Sequence, residues 1–145
     1  MSTANLRRQA IEQRSQARRQ LLQGLYQWQI IGDDAEIVKE NQMIDARAGE
    51  IDHDYFDAAW AYITTNTEQL DCCAADFIRR NMATLDPVEH AILWIGIYEL
   101  TQRIDIHQNV IINEAVELAK QFGSDDGYKF VNGVLDQCAK RHRAR

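Results

Sequence analysis

Apolar residues recur at helical spacing along almost the whole chain, and stretches that alternate apolar and polar positions are few. Leu21, Leu25 and Trp28, with Leu22 beside them, form one stripe. It predicts a first helix from about Asn5, or from Ser15 if the tip frays, to Ile31. "GDD" at Gly32–Asp34 stops it and offers an N-cap for a short, charged second helix over about 34–47. "RAGEID" then reads as a turn. From Asp52 the residues Phe56, Trp60, Ile63, Thr67, Leu70, Ala74 and Phe77 step by four and three, the seam of a packed helix. "TTNT" at Thr64–Thr67 puts poor helix formers into that seam and marks a kink or a break. Arg79 and Arg80 are placed at its C-terminal end, where cations complement the helix dipole.

The best start signal is "LDPVEHAILWIGIYEL". Asp86 is expected at the N-cap, Pro87 at N1 and Glu89 at N3, as in a capping box. The following residues are apolar almost all round, which predicts a central, enclosed helix. A fifth helix is expected over about 108–122. Ile111, Ala115, Leu118 and Phe122 share its inner face, with Ile112, Val116 and Ala119 beside them. Gly123 follows at a position that favours a left-handed residue. Ser124 is expected to cap the last helix, with Asp125 and Asp126 at its positive end. Phe130, Val131, Val134, Leu135 and Cys138 line its buried side. The fold class expected is all-α, a compact bundle of about six or seven helices.

Composition agrees with one ordinary globular domain of 145 residues containing a single proline. No apolar run reaches the ~20 residues of a membrane span, and no secretory signal is recognisable. A cytoplasmic location is the expectation. Cys72, Cys73 and Cys138 form neither a disulfide framework nor a metal-ligand spacing and read as core or surface residues.

Charge changes the picture more. The chain carries −6, yet residues 1–20 hold +4 and residues 140–145 another +4, so −14 lies between them. Basic ends on an acidic body suggest a polyanion at the ends and a basic protein on the body. Basic termini that merely solubilise are the plainer reading. No phosphate-binding glycine loop, zinc motif or nucleophile elbow is present, and "SDDG" lacks the acids of a calcium loop. His90 and His107 read as polar surface residues. An enzyme is not expected, nor a cofactor, nor a metal.

At 100° per residue, Arg7, Arg14 and Arg18 fall within about 40° of one another on the first helix. Arg8 and Arg19 lie further round. Guanidinium groups in such a stripe can neutralise phosphates and stack on bases. The stretch "QFGSDDGYKFVNGV" adds Tyr128, Lys129 and Phe130 at the start of the last helix, rings and a cation of the kind that unpaired RNA bases stack on. If the last helix starts beside the first, the two groups form one surface.

Five segments carry a family resemblance: "LYQWQ" (Leu25–Gln29), "YITTNTEQLD" (Tyr62–Asp71), "IYEL" (Ile97–Leu100), "INEAVELAKQFG" (Ile112–Gly123) and "YKFVNGVLD" (Tyr128–Asp136). In this order they resemble the NusB family of transcription antitermination factors, over roughly Arg14 to Cys138. The resemblance implies two packed helical subdomains and no catalytic activity. It implies binding of single-stranded boxA-type RNA together with NusE, a small-subunit ribosomal protein. Other Nus factors and RNA polymerase are then engaged indirectly, during ribosomal RNA transcription. The residues expected at RNA are Arg14, Arg18, Arg19, Phe77, Arg80, Phe122, Asp126, Tyr128, Lys129 and Phe130. Tyr26 and Glu89 are expected toward the protein partner. Residues 1–13 read as a basic extension open to disorder, and 14–145 as a single NusB-like domain. Where family members hold a denser basic cluster this chain has Ser15 and Gln16. The alternative is a helical protein–protein adaptor without RNA binding of its own.

Overall fold

Ser2 opens the first helix by accepting the Asn5 amide on its hydroxyl at 3.1 Å, so α1 runs Thr3–Ile31 and starts ahead of its apolar stripe. It stops at Gly32, whose φ of 76° is left-handed and whose amide reaches Trp28 O at 3.1 Å. The structure is a computed structural model that describes residues 2–45 and 50–143. Among these the regular structure is helical, with no strand. The expected end of the second helix and the first half of the "RAGEID" turn lie outside the described residues. The remaining helices are α2 (Ala35–Asp45), α3 (His53–Thr65), α4 (Thr67–Ala75), α5 (Pro87–Gln102), α6 (Gln108–Phe122) and α7 (Gly127–Arg143), with a 3-10 turn at Met82–Thr84. The chain divides into two compact units, Met1–Ala61 and Tyr62–Arg145.

In the first unit α1 packs on α2. Ala17, Leu21, Leu22 and Leu25 are buried, as are Val38, Tyr55, Phe56 and Trp60. Gly24 is needed here, because a β-carbon on it would stand 2.8 Å from the Trp60 ring. Trp60 stacks on Phe56 with centroids 5.9 Å apart and donates its indole N–H to Ala35 O at 3.2 Å. Gln42 is fully buried and partnered at both ends of its amide: the nitrogen donates to Gln27 at 2.9 Å and the carbonyl accepts from Gln20. The front of α1 is exposed, Leu6 and Ile11 included.

The second unit is built on α5, whose residues Ala91–Leu100 are all buried. Asp86 caps it as expected, accepting the amides of Val88 and Glu89 at 2.8 and 3.3 Å. α6 and α7 pack on α5 and on each other, and α4 packs on α5 and α7. Gly96 lets α7 approach, since a β-carbon there would lie 2.7 Å from Leu135 Cδ1. The long seam helix is broken: α3 ends at Thr65, Asn66 turns, and Asn66 Nδ2 returns to Tyr62 O at 2.8 Å. α4 then ends at Ala75, four residues before Arg79, so Phe77 and Arg80 stand in a turn rather than on a helix.

Two arrangements escaped the sequence reading. Asp71 on α4 accepts the Trp94 indole N–H at 2.8 Å on the same oxygen that lies 2.7 Å from His90 Nε2. The carboxylate can only accept, so Nε2 donates and His90 is a helix-docking residue, not a free surface group. Arg143 is the second. Its guanidinium donates to the carbonyls of Glu99 (3.1 Å), Leu100 (3.0 Å), Arg103 (2.8 Å) and Ile106 (2.5 Å). It therefore adds a donor to carbonyls at and just beyond the C-terminus of α5, two of which, Glu99 O and Arg103 O, also accept the amides of Arg103 and Ile106, and it places a cation at the negative end of the dipole.

The cysteines are free thiols. Burial, with Cys73 nearby, pushes Cys138 up to about 12, so its thiol stays protonated and donates to Cys73 O at 3.6 Å. Arg143→Ala should lower unfolding free energy by about 1–3 kcal/mol in a urea titration followed by circular dichroism. Arg143→Lys should recover only part, because an ammonium lacks the planar fork.

Candidate nucleic-acid interface

The corner between α6 and α7 is set from beneath by one buried carboxylate. Glu89, 3% exposed, accepts the Ser124 hydroxyl at 2.6 Å and the Ser124 amide at 3.2 Å. Glu89 therefore ties α5 to the corner, while Asp86 alone accepts the amides that cap α5. Gly127 answers to this contact, and Gly123 to the end of α6. A β-carbon on Gly127 would collide with Glu89 Oε2, and one on Gly123 would lie 2.8 Å from Ala119 O. Gly123 is extended, with φ −90° and ψ −175°, and not left-handed as its place after α6 suggested. Its requirement is space, not a positive φ. Ser124 O accepts the Gly127 amide at 3.0 Å as α7 begins.

Rings and cations surround this corner. Lys120 and Lys129 lie 5.2 and 5.9 Å from the Tyr128 ring centroid. Lys129 also pairs with the exposed Asp126 at 3.6 Å. Arg80 lies over the Phe130 ring at 4.7 Å, so Phe130 is half-buried under a guanidinium and not sunk in the core. Phe122, placed on the inner face of α6 by its spacing, is 51% exposed. It sits one turn beyond the last well-buried layer of that helix, Leu118 and Ala119. Phe77 is capped by the Arg141 guanidinium at 4.6 Å, and Arg141 also pairs with Asp76 at 2.6 Å. The second unit thus collects Phe77, Arg80, Phe122, Asp126, Tyr128, Lys129 and Phe130 about the ends of α4, α6 and α7.

The first unit holds the other three expected RNA residues on α1. Arg14 pairs with Asp52 at 3.1 Å and lies 5.0 Å from the Tyr55 ring centroid. Arg18 lies 5.5 Å from the same ring and is only 4% exposed. Arg19 is half-buried, and Arg7 and Arg8 are exposed. One side of the expected arginine stripe is therefore already bound to the protein's own acid and ring, which sequence spacing alone could not reveal. Tyr26 is 40% exposed on the same helix.

The model of the NusB family matches residues 15–140. The chain belongs to the NusB family. It is 40% identical over 134 residues to "Transcription antitermination protein NusB" of Hahella chejuensis, covering 92% of this chain and 90% of that one. It is 44% identical over 131 residues to the protein of the same name from Nitrosococcus oceani, covering 90% and 88%. The solved structure of T. maritima NusB superposes with a TM-score of 0.78 at 27% identity, over 88% of this chain and 91% of that one. With the family goes a role in transcription antitermination and the all-α fold. No helix among the described residues is long and apolar enough to cross a membrane.

In this NusB-family chain the expected partner residue Glu89 is not a surface acid. It shapes the surface through Ser124. Arg141 was not among the expected site residues, because its ring partner, Phe77, lies 64 residues away in sequence. Gly127→Ala and Glu89→Ala should each cost about 1–3 kcal/mol in urea unfolding. The double variant should cost less than their sum, because removing the carboxylate makes room for the new methyl. Strict additivity would mean the two residues do not share a contact.

Proposed function

We propose that the protein is an antitermination factor that binds single-stranded boxA-type RNA together with a NusE-type ribosomal protein, in the cytoplasm, during ribosomal RNA transcription. The observation that carries this reading is the set of ring–cation pairs at the α6–α7 corner, Arg80 on Phe130 and Lys120 beside Tyr128, on a chain of the NusB family. Stacked rings and guanidinium planes bind unpaired bases without requiring a duplex groove, and exposed cations neutralise phosphates. Phe77, Arg80, Phe122, Tyr128, Lys129 and Phe130 are the proposed contacts in the second unit. Asp126, exposed, accepts from base amino groups and contributes selectivity rather than affinity. Arg14 and Arg19 are the proposed contacts in the first, and Arg18, buried on Tyr55, is a structural cation of α1. Tyr26, and the corner that Glu89 supports, are the proposed sites toward the ribosomal protein. That partner adds surface to the same RNA, so each ligand raises the affinity of the other. Further Nus factors and RNA polymerase join indirectly. Acid–base or metal chemistry has no part in this reading.

One observation favours a second reading, an adaptor that binds protein but not RNA. Arg18 is buried on Tyr55, and Arg14 is paired with Asp52. On that reading α1 holds its arginines for its own fold, and the exposed apolar residues Tyr26 and Ile30, one turn apart, serve a protein partner.

Fluorescence anisotropy with a boxA-type strand and a scrambled strand separates the two, with and without the ribosomal protein. The RNA-binding reading expects the boxA-type strand to bind more tightly, and more so with the partner present. Arg14→Ala with Arg19→Ala should reduce the slope of log K against log salt by about 1 to 1.5. An unchanged slope with a retained complex would favour the adaptor.

A further inference from the structure

We propose that Arg141 is a further RNA contact and that Asp76 restrains it, competing with phosphate for the same guanidinium. This rests on the reading of the α6–α7 corner as an RNA surface. The geometry behind it is a pair of crossed stacks. The turn after α4 supplies Phe77 and Arg80, and α7 supplies Phe130 and Arg141. At one end the turn's guanidinium covers the helix's ring, with Arg80 over Phe130 at 4.7 Å. At the other the helix's guanidinium covers the turn's ring, with Arg141 over Phe77 at 4.6 Å.

Phe130 and Arg141 are eleven residues apart on α7. Eleven steps bring a helix back to within about 20° of the same direction and advance it about 16 Å. The two stacks therefore lie along one face of one rigid helix. A guanidinium held over a ring still has N–H groups to offer phosphate and a face to offer a base, and loses less freedom on binding than a freely moving one. The corner alone gives a patch; with Arg141 it becomes a track that follows a strand along α7.

Asp76 sets the strength of this end. Its carboxylate lies 2.6 Å from Arg141 Nη1, and both side chains are open to solvent, Arg141 at 48% and Asp76 at 64%. An exposed ion pair of this kind is weak enough for a phosphate to displace. While paired, Asp76 both occupies the guanidinium and repels the incoming anion. Removing Asp76 should thus strengthen RNA binding, and removing Arg141 should weaken it.

The test is anisotropy titration of the full chain with a fluorescein-labelled boxA-type RNA across a salt series, circular dichroism reporting the fold of each variant. Arg141→Ala should weaken binding about fivefold or more and lower the salt slope by about 0.7. Arg141→Lys should keep the slope and recover only part of the affinity. Asp76→Asn should tighten binding, a change of sign that lost stability would not produce. The inference is overturned if Arg141→Ala and Asp76→Asn leave affinity unchanged, or shift it the same way, while Arg14→Ala with Arg19→Ala still weakens it; the RNA reading then stands. A wild-type chain that does not bind the RNA overturns both. Binding of a polyglutamate peptide in place of the RNA, with the same response to the variants, would make the pair a site for acidic protein and overturn the proposal.

Discussion

A carboxylate with 3% exposure has to be held by donors, and at Glu89 the donors are the amide and hydroxyl of Ser124. Leaving that charge unpartnered would cost several kcal/mol. Keeping it partnered fixes the chain between α6 and α7 to the first turn of α5. The same contact leaves no room for a side chain at Gly127. Tyr128, Lys129 and Phe130 follow immediately on α7, so their directions from the body of the second unit derive from a hydrogen bond made beneath them. The surface is organised from inside.

The arginines divide by what they touch, and charge counting misses the division. Arg143 is consumed by four carbonyls at and just beyond the end of α5. Arg18 is consumed by burial on Tyr55. Each belongs to one of the basic ends that net charge alone marks as polyanion-seeking. Arg80 and Arg141 are different: they lie on rings while remaining exposed. A basic terminus is thus a mixture of structural cations and available ones, and only the contacts sort them.

Helices were legible where periodicity and caps agreed. Asp86 and Pro87 placed the start of α5, and Gly32 the end of α1. The seam from Phe56 to Ala74 predicted a buried face, and "TTNT" the place where it breaks. Boundaries failed where tertiary contacts decide them. Arg79 and Arg80 resembled helix-ending cations, but the helix stops earlier and Arg80 is held by Phe130. Phe122 matched the inner spacing of α6, but that spacing outlasts the core it faces. Asp71 with His90, Glu89 with Ser124 and Phe77 with Arg141 join residues 19, 35 and 64 positions apart. No local pattern encodes such pairs, which come into being only when α4, α5 and α7 are packed. The family resemblance pointed to the corner without saying what supports it.

Packing cations on rings in advance has a consequence for affinity. Lys and Arg side chains each lose up to about 2 kcal/mol of rotamer freedom when ordered. A surface of freely moving cations meets that cost at the moment of binding, and much of the Coulomb gain in water is spent on it. Arg80 on Phe130, Arg141 on Phe77 and Lys120 beside Tyr128 are ordered when the second unit folds. An acidic chain of net charge −6 can then hold a polyanion with few cations, provided those few are already aligned. On the proposed RNA reading, the acidic remainder would act against nonspecific polyanions, since long-range attraction is weak and only a strand that reaches the stacked groups gains from them. On the same RNA reading, selectivity would follow from how little positive charge the protein displays and how firmly that little is held.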